Sequence, residues 1–271
     1  SWAENESSDD FAMILLKLND NKKIGTVVHS YALSGANLKQ HIFYFHYLLS
    51  NFNIVSIIGD YNGGVQFINA ANESSLFKKH NLNIKCLNTN FDDIENYQQK
   101  LREGKKEYNL KDQTICYLRK PTSQWIRLAN ELLQANFDHN RIYFASRAID
   151  DSYNEQRNKK IPIQDINFLR TSQSLERQTN AAKMIDFVEH QFDMLNLMKT
   201  ECSLIQITTS ASGTQNFDLP PSLKRQTGPE KARKDSYSAL ILGNWMVKLY
   251  YDMMNVEVES VNYTFTPMFI N

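Results

Sequence analysis

The sequence predicts an α/β domain. Three observations lead there: strand-like and helix-like segments alternate along the chain, the run NIVSIIGD at 53–60 is apolar without alternation, and no repeat, heptad array or low-complexity tract interrupts the pattern. With 271 residues, 42% of them hydrophobic and 22% charged, the chain can bury a sizeable core and has no reason to stay disordered.

The elements follow in order. FAMILLKL, the turn-like NDNKK and the β-branched IGTVVHSYAL predict a β-hairpin. Ser34, Gly35 and Asn37 then offer a cap before Leu38, Ile42, Phe45 and Leu49, which recur on one helical face. NIVSIIGD predicts a strand buried on both faces, hence central in the sheet, and a helix over 65–79 follows. A strand is expected at 83–89, then a charged stretch over 91–112. TICYLRK, PTSQWIRLANELLQANF and RIYFASRA read as strand, helix with Pro121 near its first turn, and strand. Residues 150–162 lack apolar periodicity and read as a loop. A helix over 179–200 puts Ala182, Ile185, Val188, Phe192 and Leu195 on one face. SLIQITTSASGTQNFDLP predicts a strand, a turn at Ser212 and Gly213, and a return to Phe217; the Pro, Gly and Lys/Arg run at 219–234 is a loop. The last helix is expected over 236–254, with Asp235 at its start, and the tail at 257–271 as an extended edge strand. A single domain over 1–271 with an insertion within 86–175 accommodates this order.

Charge and composition exclude several function classes. Thirty Lys plus Arg balance thirty Asp plus Glu, which argues against a polybasic binder. Apolar runs such as FAMILL fall far short of the roughly 20 residues that span a bilayer, so no membrane partner is expected. SWAENESSDD carries four acids and no base, the reverse of an export signal. Cys86, Cys116 and Cys202 are far apart and form no CxxC pair, which favours a reducing compartment and core roles.

Phosphate-binding loops, dinucleotide fingerprints, GxSxG and HExxH are all missing from the sequence. The six histidines show no zinc-helix spacing, and His41 and His46, five apart, read as packing or surface residues. Carboxylates at element ends are more informative. Asp60 closes an apolar strand, where α/β sheets place ligand-binding groups, and Gly63 and Gly64 leave its approach uncrowded. The bland alternative is an Asx turn or helix cap. Asp235 opens a helix whose Ala239 and Leu242 share its face; capping is the alternative there too. Glu4, Asp9 and Asp10 crowd the approach to the first strand. Three acidic clusters on one α/β chain suggest oxygen ligands for a hard cation.

On these residues the chain resembles the nuclease domain of the large terminase subunit of tailed bacteriophages and herpesviruses. The resemblance runs through DDFAMILLKLND, VVHSYALSG, SIIGDYNGG and GPEKARKDSYSALILGNW, the last two segments being the most specific. It implies an RNase H-like mixed central sheet flanked by helices, without the ATPase motor domain. In the family, one acid closes the strand matching NIVSIIGD and another opens the helix matching KDSYSALIL; those roles fall on Asp60 and Asp235. The family's first metal-binding Asp is not visible. Read without gaps it falls on Ser1, cut away or replaced, while in a shifted register Glu4, Asp9 or Asp10 takes its role; the strand expected ahead of Ser1 is absent.

The resemblance implies a metal-dependent endonuclease that cuts double-stranded concatemeric viral DNA during genome packaging in the host cytoplasm. Two Mg²⁺ or Mn²⁺ ions would act on an in-line phosphodiester displacement, with Asp60 bridging or holding both and Asp235 holding one. The terminase ATPase domain, the small terminase subunit and the portal are the implied partners. With zero net charge, DNA contacts have to be local. Lys224, Arg225, Lys231, Arg233 and Lys234 lead into the proposed site, and Lys100, Arg102, Lys105, Lys106, Lys111, Arg119, Lys120 and Arg127 form a second basic stretch. The competing readings are another RNase H-like nuclease, of transposase or resolvase type, and a catalytically silent RNase H-like docking module.

Overall fold

The computed structural model describes residues 11–19, 24–33, 38–89, 114–145, 182–210, 213, 215–226 and 232–262. Within them the mixed α/β class is observed, with three small sheets and seven helices. Strands β1 (Phe11–Asn19) and β2 (Ile24–Leu33) form the expected antiparallel hairpin, with a register irregularity between Leu15 and Leu16. The short β6 (Ile142–Phe144) adds in parallel to β2, from Gly25 opposite Ile142 to Val27 opposite Phe144. A second sheet is all parallel, in the order β3 (Ile57–Asp60), β5 (Ile115–Arg119), β4 (Lys85–Thr89). β7 (Gln206–Thr209) and β8 (Gln215–Asp218) make a separate hairpin, with Gly213 at φ +80° in its turn, a conformation that an L side chain strains to adopt.

Among the described residues, the strand expected at the centre of the sheet stands at an edge. NIVSIIGD is apolar because it is covered on both faces, yet β3 pairs only with β5 among the described residues. The interior place belongs to β5, all five residues of which are buried. β5, α4 (Ser123–Asp138) and β6 lie inside the stretch expected to hold an insertion and are integral to the sheets and core; 90–113 and 146–175 lie outside the described residues.

Helices cover both faces. α1 (Leu38–Asn51) buries Ile42 and Phe45 as its periodicity predicts, and His41, Tyr44 and Leu48 besides. The helix expected over 65–79 begins earlier and breaks: α2 (Tyr61–Glu73) ends at Ser74, whose hydroxyl accepts from the Phe77 N–H to start α3 (Ser75–Lys79). In α4 the cap is Thr122, accepting from the Trp125 N–H at 3.3 Å, and Pro121 stands immediately before the cap, near the first turn as expected. α5 (Ala182–Leu204) buries Met194, Leu195 and Met198, and the loop at 219–234 contains the single turn α6 (Pro221–Lys224). α7 (Asp235–Asn262) continues through residues 257–262, where an extended strand was expected; 263–271 lie outside the described residues.

Three apolar clusters result among the described residues, two of them large. One holds Phe45, Phe67, Ile68, Phe77, Cys116 and Leu118, with Met13 and Ile57 packed on it, and lies under α1 and α2. The other joins Tyr117, Trp125, Leu195, Met198, Leu240 and Trp245, with Ile14, Leu16 and Ile58, and lies under α4, α5 and α7. Cys116 is buried and Cys86 and Cys202 half-buried, all as free thiols. Burial pushes the Cys202 thiol up to about 12, out of the reactive range. No helix among the described residues is long and apolar enough to cross a membrane.

Candidate active-site cleft

A cleft of about 1260 Å³ separates β1 from β3. β1 residues 11–18 line one wall and 54–60 the other; α7 contributes Ala239, Leu242, Gly243 and Met246, and α1 and α2 contribute Phe45, Gly64 and Phe67. Asp60 and Asp235 both border it, with Arg119 and Lys234. Two acids 175 positions apart in the sequence are thus brought to one cavity because β3 ends, and α7 begins, at its margin. Ala239 and Leu242 line the same cleft, as the face assigned to Asp235 predicts.

Asp60 fills both roles weighed for it. It is exposed, closes β3, and caps α2, its Oδ1 accepting the Asn62 N–H at 3.1 Å. The flanking glycines differ. A Cβ on Gly63 would meet nothing within 4 Å, so that approach is open; one on Gly64 would stand 2.7 Å from Leu118 Cδ2, so Gly64 is there for helix-on-strand packing. Arg119 lies opposite Asp60 in the β3–β5 register, and its guanidinium is buried over the Trp125 ring, 5.3 Å from the centroid.

Asp235 is half-buried in the first turn of α7. The helix start is held from α5: buried Glu201 accepts the Tyr237 N–H at 3.0 Å, and the Tyr237 hydroxyl donates to Asn130 of α4. Nothing in the spacing of Glu201 relative to Asp235 announces this contact, because it depends on how α5 packs against α7.

The basic loop is largely committed within the protein. Lys224 and Lys234 both pair with Asp218 at the end of β8, at 2.5 and 2.9 Å. Burial alone would raise the Asp218 carboxyl, but hydrogen bonds from Lys224, Lys234 and the Leu219 N–H outweigh it and hold the group below its usual range. Arg233 is buried, Arg225 is exposed, and Lys231 lies outside the described residues, as do Glu4, Asp9 and Asp10. In the second basic stretch, Lys120 is exposed, Arg127 pairs with Glu131 at 3.1 Å, and Lys100, Arg102, Lys105, Lys106 and Lys111 lie outside the described residues.

Away from the cleft, His29, Tyr31, His41, Tyr44 and Gln191 form a buried polar cluster between β2, α1 and α5. His46 and His80, far apart in sequence, lie 4.6 Å apart between ring centroids with their planes tilted by 52°. Among the described residues no three His, Cys, Asp or Glu side chains come together as a metal-holding group. No protein family, curated protein or solved structure matches the chain.

Proposed function

We propose that the chain is an RNase H-like, metal-dependent endonuclease of the terminase large-subunit type, acting on double-stranded concatemeric viral DNA during packaging. The observation that carries this reading is the convergence of Asp60 and Asp235 on one cleft. All-oxygen donors of this kind suit Mg²⁺ or Mn²⁺. Two carboxylates are short of the ligand set a two-metal site needs, and no third donor joins them among the described residues. A divalent cation held there would activate water and offset charge on the phosphate. The chain's own share is positional: the β3 end and the α7 start set the two carboxylates, and Arg119 and Lys234 put positive charge on the same margin. The ATPase domain, small terminase subunit and portal are the partners in this reading.

The same two-acid set favours one second reading, a catalytically silent RNase H-like docking module. Nicking of supercoiled plasmid with Mn²⁺ or Mg²⁺ separates the two. Asp60→Asn or Asp235→Asn is expected to lower the nicking rate on the order of 100-fold, the scale on which removing one charge-stabilising group acts. A wild-type chain that nicks nothing with either metal, while remaining folded by circular dichroism, supports the docking module.

A further inference from the structure

His46 of α1 and His80 at the end of α3 do not line the cleft. The fold fixes their meeting from both sides. On α1, His46 follows the buried Phe45 and meets the ring of Phe77, a side chain with no exposure, at 63° between planes. On the other side, Ser74 breaks the helix and caps α3, which closes after five residues. There the His80 N–H donates to the Leu76 and Phe77 carbonyls, Asn81 turns at φ +53°, and the Leu82 N–H returns to the Phe77 carbonyl at 2.9 Å. The exposed imidazole of His80 is thereby held by its backbone against the half-buried ring of His46.

Two observations distinguish this pair from packed rings. The first is that Nε2 of His46 is buried without a hydrogen-bond partner among the described residues, which costs stability unless something binds that nitrogen. The second is the spacing. With metal–nitrogen bonds of about 2.05 Å and an imidazole ring radius of about 1.2 Å, two imidazoles on one ion have centroids about 4.6 Å apart at a right angle and about 5.3 Å apart at the tetrahedral angle. The 4.6 Å observed is that of the right-angle pair, the geometry of tetragonal Cu²⁺ and Ni²⁺ and not of tetrahedral Zn²⁺. Rotation about a metal–nitrogen bond leaves a centroid in place, so the 52° between the planes is compatible with it.

We propose that His46 and His80 form a two-histidine site for a tetragonal divalent transition-metal ion, Cu²⁺ or Ni²⁺, with water in its remaining positions. The ion clips α1 to α3. Burial and the neighbouring His80 lower the pKa of His46, so its ring is neutral at physiological pH, the form that ligates. Lys78 and Lys79 in the last turn of α3 oppose a cation, which leaves the affinity to the imidazole nitrogens. A hard cation between Asp60 and Asp235 prefers oxygen, so the two sites differ in chemistry and this inference does not depend on the nuclease reading.

The test titrates Cu²⁺ into the full chain near neutral pH and follows the bound ion by electron paramagnetic resonance, with His46→Asn and His80→Asn beside the wild type. The tightest equivalent on the wild type is expected to show splitting from two nitrogens. Each variant is expected to bind it about tenfold or more weakly, with splitting from at most one. His80 is exposed, so His80→Asn decides the matter even where His46→Asn does not fold. The proposal is overturned if the wild type binds Cu²⁺ no more tightly than His80→Asn, if its signal shows a single nitrogen, or if a folded His46→Asn keeps the affinity; the rings are then packing alone.

Discussion

Protonation of His41 should set the acid limit of this fold. The imidazole is 1% exposed on α1, stacked on Phe11 at 4.3 Å between ring centroids, with Nδ1 hydrogen-bonded to the Tyr31 hydroxyl at 2.9 Å. Burial lowers its pKa from 6.5 to about 4. Below the unfolded value the unfolded chain takes up a proton that the folded chain refuses, so stability falls as the pH drops from about 6.5 and the loss is complete below about 4. Linkage with those two values gives a loss of about 2 kcal/mol between about pH 7 and about pH 5, and about 3 kcal/mol in full. Denaturant unfolding of the wild type and of His41→Gln at the two pH values measures it. Gln keeps a polar partner for Tyr31 and does not titrate, so the variant should be less stable at neutral pH but lose about 2 kcal/mol less on acidification. His46, lowered by burial and by its neighbour His80, is present in both proteins and cancels from the difference. Equal acid sensitivity in the two proteins would refute the assignment.

Adjacent glycines should respond oppositely to the same change. Gly63→Ala meets open space and should stabilise α2 by up to about 1 kcal/mol, whereas Gly64→Ala runs against Leu118 and should cost about 1 kcal/mol net, overpacking outweighing the helix gain; thermal melts decide both signs. Met198→Ala, at a side chain with no exposure, should destabilise by about 2–5 kcal/mol in urea titrations. Asp218→Asn removes the charge that engages Lys224 and Lys234, so duplex DNA should bind more tightly, with a log–log salt slope steeper by about 2 if both lysines reach phosphate; an unchanged slope in fluorescence anisotropy would show that they do not.

The local grammar of this chain was legible from its residues. Apolar and β-branched runs on either side of the polar turn between Leu18 and Ile24 specify the β1–β2 hairpin, and the spacing of Ile42 and Phe45 specifies the buried face of α1, because helical side-chain direction repeats with a fixed period. Asp60 and Asp235 could be singled out since each stands where an element begins or ends. Contacts between distant segments left no such trace. Glu201 at the start of α7, Asp218 between two lysines and the ring contact of His46 with His80 each join elements whose separation in sequence carries no periodic signal. The tail at 257–262 was misjudged for a related reason. Its β-branched residues favour a strand, but propensity is a weak prior and the segment continues α7 as helix.

What the sequence determined by itself was the α/β class, most of the elements and the two acids, since periodicity and element ends are properties of short segments. Only the tertiary structure decided that β3 pairs with β5 alone among the described residues, and that Asp60 and Asp235 share one cleft. The physical reason lies in what each level reports. An apolar run records that both faces of a strand are covered, while its edges are satisfied by backbone hydrogen bonds that any residue but proline can supply, so the sequence of β3 is silent about its neighbours.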